Sequence, residues 1–205
     1  MMTFTRLDST KFFGNNFESI SFSFNDGIIN FGGYGFWQNN FDLVFLNDPS
    51  GKPQFVTTQN QPKFYYSSLI SQMDTGVLVL FGTMHNERVS SNRIPQQGKF
   101  LDFNSLTWKD ISIDFMDKKW EGLFSEKYFS AILKFDLKDY TIFYYGKSGS
   151  SQLGILILNK RTLELSEIGV PIIDLDSFSS YLVTDQNQIR FTKKDGSGHF
   201  YFDLE

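Results

Sequence analysis

Apolar and polar residues alternate in short runs along most of the chain, and turn residues cut the runs apart. A period of two is the mark of a half-buried strand. Phe17 to Phe24 alternates and runs into Asn25-Asp26-Gly27, a hairpin signal because the central positions of such a turn need positive φ. Gly27 to Phe36 reads as a second strand and Phe41 to Leu46 as a third. After the turn Asp48-Pro49-Ser50-Gly51, Gln54 to Thr57 reads as a fourth. Tyr66 to Met73 then leads through Asp74-Thr75-Gly76 into the apolar run Val77 to Phe81. A long polar loop follows, and after it Lys99 to Phe103 and Thr107 to Ile113. Tyr128 to Phe135 turns at Asp136 to Asp139 into Tyr140 to Tyr145, with Gly154 to Leu158 and Thr162 to Ile168 beyond. Phe178 to Thr184, Gln188 to Thr192 and His199 to Leu204 complete the series.

The pattern has a longer period. Gly32, Gly82, Gly146 and Thr192 each follow the apolar part of a second strand, at steps of 50, 64 and 46 residues. Four-stranded units at roughly 40–50 residue spacing are the signature of β-propeller blades. A lone blade cannot bury both faces, so blades stack. The expected fold is therefore all-β, one propeller domain over 1–205, with four-stranded blades at about 17–57, 66–113, 128–168 and 178–204. The 64-residue step is taken up by Asp114 to Lys127, where Met116, Trp120, Leu123 and Phe124 fit either a short helix or an irregular loop. Composition agrees. Aromatic residues make up 18% of the chain, with 24 Phe, and aromatic side chains favour pleated surfaces.

Within the units a finer pattern recurs. Blade one carries Ile28-Ile29-Asn30-Phe31-Gly32-Gly33-Tyr34-Gly35-Phe36-Trp37. Blade two keeps Gly82 and then reads Leu101-Asp102-Phe103-Asn104-Ser105-Leu106-Thr107-Trp108. Blade three has Gly146 and Leu158-Asn159-Lys160-Arg161-Thr162-Leu163-Glu164-Leu165, with Leu in the place of Trp. These stretches resemble the kelch repeat, including propellers related to the central domain of galactose oxidase. In that repeat an apolar strand runs into a Gly-Gly pair, and an aromatic-Asp step precedes a turn and a Trp. The resemblance implies structural roles for Gly32, Gly33, Gly82, Trp108 and Gly146. Glycine admits close approach or positive φ, and the aromatic fills space between blades. Blade four departs by losing its glycines. The resemblance also implies that residues 3–7 complete the last blade as its outer strand, which removes an open edge. Kelch-like propellers generally have more than four blades, so a closed four-bladed ring, half of a dimeric ring and a piece of a longer protein all stay open.

The chemistry is sparse. There is no Cys and there are two His, which excludes a disulfide framework and thiolate metal sites. The copper site of galactose oxidase needs a tyrosine–cysteine cross-link, so that cofactor cannot form here. His85 and His199 are too few for a metal centre without other ligands. Gly32-Gly33-Tyr34-Gly35 precedes no helix signal and Gly146-Lys147-Ser148 lacks the spacing of a phosphate loop. Asp136, Asp139, Asp174 and Asp176 are acidic loop residues that sequence cannot bring to one cleft as a catalytic carboxylate pair. The net charge of −4 argues against a nucleic-acid binder. A basic excess on the second-to-third strand loops is cancelled by the other loops expected on that face.

The expectation is a non-catalytic protein-interaction or scaffold module, or alternatively a carbohydrate-binding or carbohydrate-processing propeller, with no cofactor, nucleic acid or membrane involved. By residue type the candidate contacts are Trp37, His85, Arg88 and Arg93. No run long and apolar enough to span a membrane occurs, and Met1 to Leu7 does not read as a signal peptide; the default location is cytoplasmic.

Overall fold

The computed structural model describes residues 19–35, 38–39, 41–46, 54–62, 69–80, 83–86, 89–93, 97–116, 131–146, 153–168, 178–184 and 187–203. Among these every regular element is a strand. The chain divides into two compact units. One is Met1–Ser112 with Phe124–Glu126, the other Ile113–Leu123 with Lys127–Glu205.

The first unit holds two four-stranded antiparallel sheets. β1 (Ile20–Phe24), β2 (Gly27–Phe31), β5 (Leu43–Phe45) and β6 (Gln54–Val56) pair in chain order. So do β7 (Leu69–Met73), β8 (Gly76–Leu80), β11 (Gln97–Asp102) and β12 (Thr107–Ser112). Between the second and third strands of each sheet sits an added hairpin. One is β3 (Tyr34–Gly35) with β4 (Gln38–Asn39), the other β9 (Thr83–Asn86) with β10 (Val89–Arg93). The second of these replaces the expected polar loop: Thr83 opposite Arg93, Met84 opposite Asn92 and Asn86 opposite Val89 make a ladder from mostly polar residues. The second unit holds β14 (Ala131–Asp136), β15 (Tyr140–Gly146), β16 (Leu153–Asn159) and β17 (Glu164–Ile168), again in chain order, and the sheet of β18 (Phe178–Thr184), β19 (Gln188–Lys193) and β20 (His199–Asp203). The third sheet gains a fifth strand, β13 (Asp114–Phe115), parallel to β17. That places the start of the 114–127 segment in a strand rather than a helix. The expected strand at 3–7 lies outside the described residues, as do Trp120, Leu123 and Phe124.

Two local devices repeat. Asp102 Oδ1 accepts from the backbone N–H groups of Asn104 and Ser105, and Asn159 Oδ1 from those of Arg161 and Thr162. Each side chain thus mimics a backbone turn, and each turn closes on a leucine with positive φ, Leu106 at 49° and Leu163 at 60°. The chain arriving from the preceding sheet then pairs in parallel across that leucine. Gln59 N–H donates to the Leu106 carbonyl and Trp108 N–H to the Gln59 carbonyl; Asp114 and Met116 N–H donate to the Leu163 and Leu165 carbonyls. Gly32 (φ 72°) and Gly33 (φ 98°) end β2 in a conformation that other side chains resist.

Each unit has its own core. In the first, Ile20, Phe22, Ile29, Phe31 and Leu43 of one sheet pack on Val77, Val79, Leu101 and Trp108 of the other. In the second, Phe135, Ile142, Tyr144, Ile155 and Ile157 pack on Ile189 and Phe191. Burial pushes the Tyr144 phenol up to about 12, because the charged form is disfavoured away from water. Trp108 is 2% exposed. Its ring centroid lies 5.0 Å from that of Phe31, and its indole N–H donates to Thr58 Oγ1 at 3.0 Å. Leu165 occupies the matching place in the third sheet and is buried as well. Gly76 opens β8 where a β-carbon would overlap the Leu101 carbonyl oxygen and the Phe100 ring.

Two stability measurements follow. Trp108→Ala is expected to lower the unfolding free energy by about 3–5 kcal/mol in a urea titration, with Trp108→Phe costing less because it keeps most of the volume. Gly76→Ala is expected to cost about 1–3 kcal/mol, since the clashing carbonyl is backbone and cannot swing aside; wild-type stability for this variant would contradict the packing described.

Candidate functional site

In an up-and-down sheet the first-to-second and third-to-fourth turns lie at one end and the second-to-third link at the other. The first unit uses its two ends differently. At the link end stand the added hairpins, and β4 lies beside β9. His85 is in β9 and Arg93 closes β10. Trp37 falls in sequence between β3 and β4, and Arg88 between β9 and β10; both lie outside the described residues, as does Gly82. Gly146 ends β15 opposite Leu153. Of the four candidate contacts, His85 and Arg93 thus share one hairpin, which adjoins β4.

At the turn end of the same unit is a cleft of about 600 Å³. Its walls are the β1–β2 turn, with Asn25 and Asp26 at φ 44° and 60°, and the β7–β8 turn with Asp74. Phe103 lines it and meets Phe24 edge-on, ring centroids 5.0 Å apart; Gln72 and Leu46 complete the main lining. The Phe103 N–H donates to the Thr75 carbonyl at 2.9 Å, which ties the outer turn to the β7–β8 turn. Sequence reasoning missed this cleft, although the Asn25-Asp26-Gly27 signal marked one wall.

The second unit closes the equivalent ground with polar bonds. Asp139 N–H donates to Asn187 Oδ1 at 2.9 Å, and Asn187 Nδ2 donates to Asp139 Oδ2 at 2.9 Å, joining the first turns of its two sheets. Arg161 adds an ion pair to Asp139 at 2.8 Å. The Asn187 hydrogen bond is the main cause holding the Asp139 carboxyl below its ordinary range. Asp136 accepts from Thr141 Oγ1 at 2.9 Å and pairs with Lys134 at 2.6 Å. These carboxylates hold turns in place. The Lys109 ammonium likewise keeps the Asp102 carboxyl low, and a backbone bond from Ser197 keeps Asp195 low. Among the described residues no three potential ligands gather to hold a metal ion. His199 is exposed, with Nδ1 3.3 Å from Thr192 Oγ1. Among the same residues no helix is long and apolar enough to cross a membrane.

The Asp139–Asn187 pair supplies a test. Asn187→Ala is expected to lower the melting temperature by roughly 2–4 °C at pH 7, on the scale of one lost hydrogen bond. Asp139→Ala in the same background should then cost little more. Because the folded carboxyl titrates below its ordinary 3.8, its contribution is full above that value and fades as pH falls through the folded pKa. Wild type and Asn187→Ala should therefore converge in acid. Fully additive single effects would refute the pairing.

No family model and no curated protein matches the chain. Solved structures do. The chain is similar to the solved structure titled "Structure of YjhT", with a TM-score of 0.55 and 11% identity, over 85% of this chain and 58% of that one. It spans a little over half the length of that neighbour. At this identity the likeness shows the fold alone: the sheets are blades of the β-propeller type, four of them, two in each unit.

Proposed function

We propose that this chain is a non-catalytic, kelch-like propeller module that binds a protein partner through the hairpins built onto its first two blades. One observation carries the reading. The second-to-third link is enlarged into a hairpin in both blades of the first unit, and the two hairpins adjoin. The fourth blade makes the same link with a short turn closed by Asp195 Oδ1 on Ser197 N–H. Loops that rigid sheets hold out are where binding residues concentrate. Trp37, His85, Arg88 and Arg93 supply the aromatic and cationic groups over-represented among binding hot spots.

The triple variant Trp37→Ala/Arg88→Ala/Arg93→Ala is expected to melt within a few degrees of wild type and to lose about tenfold or more in affinity for any partner recovered with the wild-type chain. Calorimetry with that partner measures the loss; undiminished affinity would remove the hairpins from the reading. A second reading, carbohydrate binding, is favoured by the cleft at the opposite end, where Phe24, Phe103, Asp26 and Asp74 meet in one opening. Glycan-array signal abolished by Asp74→Ala and retained by the triple variant would support that reading over the first.

A further inference from the structure

The turns of the second and third blades share one backbone bond that sets them in register. Phe103 N–H donates to the Thr75 carbonyl at 2.9 Å, and Lys160 N–H donates to the Asp139 carbonyl at 2.8 Å. In both blades that carbonyl belongs to the residue before the second strand. Both donors also follow the side chain that shapes the outer turn, Asp102 in one blade and Asn159 in the other. The register therefore equates Thr75 with Asp139, Asp74 with Lys138, Phe103 with Lys160 and Asn104 with Arg161.

Charge differs sharply between these matched places. In the third blade Arg161 donates from Nε to Asp139 Oδ1 at 2.8 Å, and its Nη2 lies 2.8 Å from the same oxygen. Lys160 Nζ donates to the Leu137 carbonyl at 2.7 Å and lies 3.6 Å from Asp136 Oδ1. The third blade thus meets its turn carboxylates with cations from its own outer turn. In the second blade a carboxylate stands in the place of Lys138, an aromatic ring in that of Lys160 and a neutral amide in that of Arg161. Two of these three replacements, Asp74 and Phe103, line the cleft of about 600 Å³.

Every residue lining that cleft belongs to the first unit. The lining holds two carboxylates, Asp26 and Asp74, and no Lys, Arg or His. Asp74 is exposed, and its carboxylate makes no hydrogen bond or ion pair among the described residues. Phe24 and Phe103 meet edge-on in the wall. A guanidinium is the cation suited to this lining, because it stacks on aromatic rings and is less strongly hydrated than an ammonium. Its fork of donors also suits a carboxylate, and Arg161 on Asp139 shows that pairing within the chain. The cleft falls in the range of small-ligand sites, about 300–1,000 Å³. We propose that it receives an arginine side chain of a protein partner, with the guanidinium on the Asp74 carboxylate, Asp26 adding negative charge from the facing turn, and the stem along Phe24 and Phe103. The partner supplies from outside the cation that the third blade carries in its own turn. The net charge of −4 favours a basic partner at long range. The cleft lies at the opposite end of the blades from the added hairpins, so this contact is separate from the one proposed there.

Titration of a capped Gly-Arg-Gly tripeptide into the full isotope-labelled chain, followed by NMR, tests this. Saturable shifts are expected at the amides of Asp26, Asp74 and Phe103, with a dissociation constant of about 1–10 mM for so small a ligand. Citrulline in place of arginine keeps the shape and removes the charge; it should weaken binding by about tenfold or more, as should Asp74→Asn. Asp74→Lys, which installs the charge of the third blade, should abolish binding. Raising salt from about 20 to 300 mM should weaken the arginine peptide and leave the citrulline peptide unchanged. The amide spectrum of each variant reports its folding, and Asp26→Asn serves where a variant at Asp74 unfolds. The variant Trp37→Ala/Arg88→Ala/Arg93→Ala should bind the tripeptide like wild type, which separates this site from the hairpin contact. No saturable shift at about 20 mM peptide, equal affinity for the citrulline peptide, or indifference to the Asp substitutions would each overturn the proposal. Tighter binding of glucosamine than of the tripeptide at these amides would overturn it too, in favour of the carbohydrate reading.

Discussion

Burial of the second strand from both sides is the constraint on which everything else here rests. All five residues of β8 are buried, as are Thr141 to Tyr144 of β15. A sheet whose middle is apolar on both faces cannot stand in water alone, since only one flank would be covered by its own neighbours in sequence. Pairing of blades within each unit follows from this, and so does the use of Phe, Trp and Ile where two blades meet. Trp108 illustrates the fit: its ring fills the space beside Phe31 while its single donor reaches Thr58, so a large polar-tipped residue is buried without an orphaned N–H.

Much of this was legible because it is written locally. Asn25-Asp26-Gly27 is a turn by its own dihedral chemistry, and the structure puts Asn25 and Asp26 at positive φ. The Asp102 and Asn159 positions show as turns for the same reason, their side chains capturing N–H groups two and three residues on. Alternation marks β1, β7 and β19 because one face is drier than the other. What was not legible depends on contacts distant in sequence. The β9–β10 hairpin has polar residues on both faces, so no period betrays it. The parallel link of Gln59 to β12 is made by backbone groups alone and leaves no side-chain signature. Asp139 and Asn187 stand 48 residues apart and look like ordinary loop residues until the fold joins them.

The same comparison separates structural carboxylates from candidates for function. From sequence, Asp136 and Asp139 are acidic loop residues open to a catalytic reading. In the fold Asp139 is bonded by Asn187 and Arg161, and Asp136 by Thr141 and Lys134. The Asn187 hydrogen bond and Arg161 hold the Asp139 carboxyl below its ordinary range, which suits it poorly to taking or giving a proton near neutral pH. Asp102 and Asp195 are committed to turns in like manner.

That division of labour bears on the binding proposed for this chain. In the second unit the first-turn end is bound up by the Asp139–Asn187–Arg161 cluster, and any ligand there would have to break bonds that hold two blades together. In the first unit a cleft stands between the β1–β2 and β7–β8 turns, and the opposite end carries two added hairpins. A propeller blade repeated from one template would show equal ends in all four copies. The two units differ: Asp139 and Asn187 join the first turns of the second, and added hairpins extend the link end of the first.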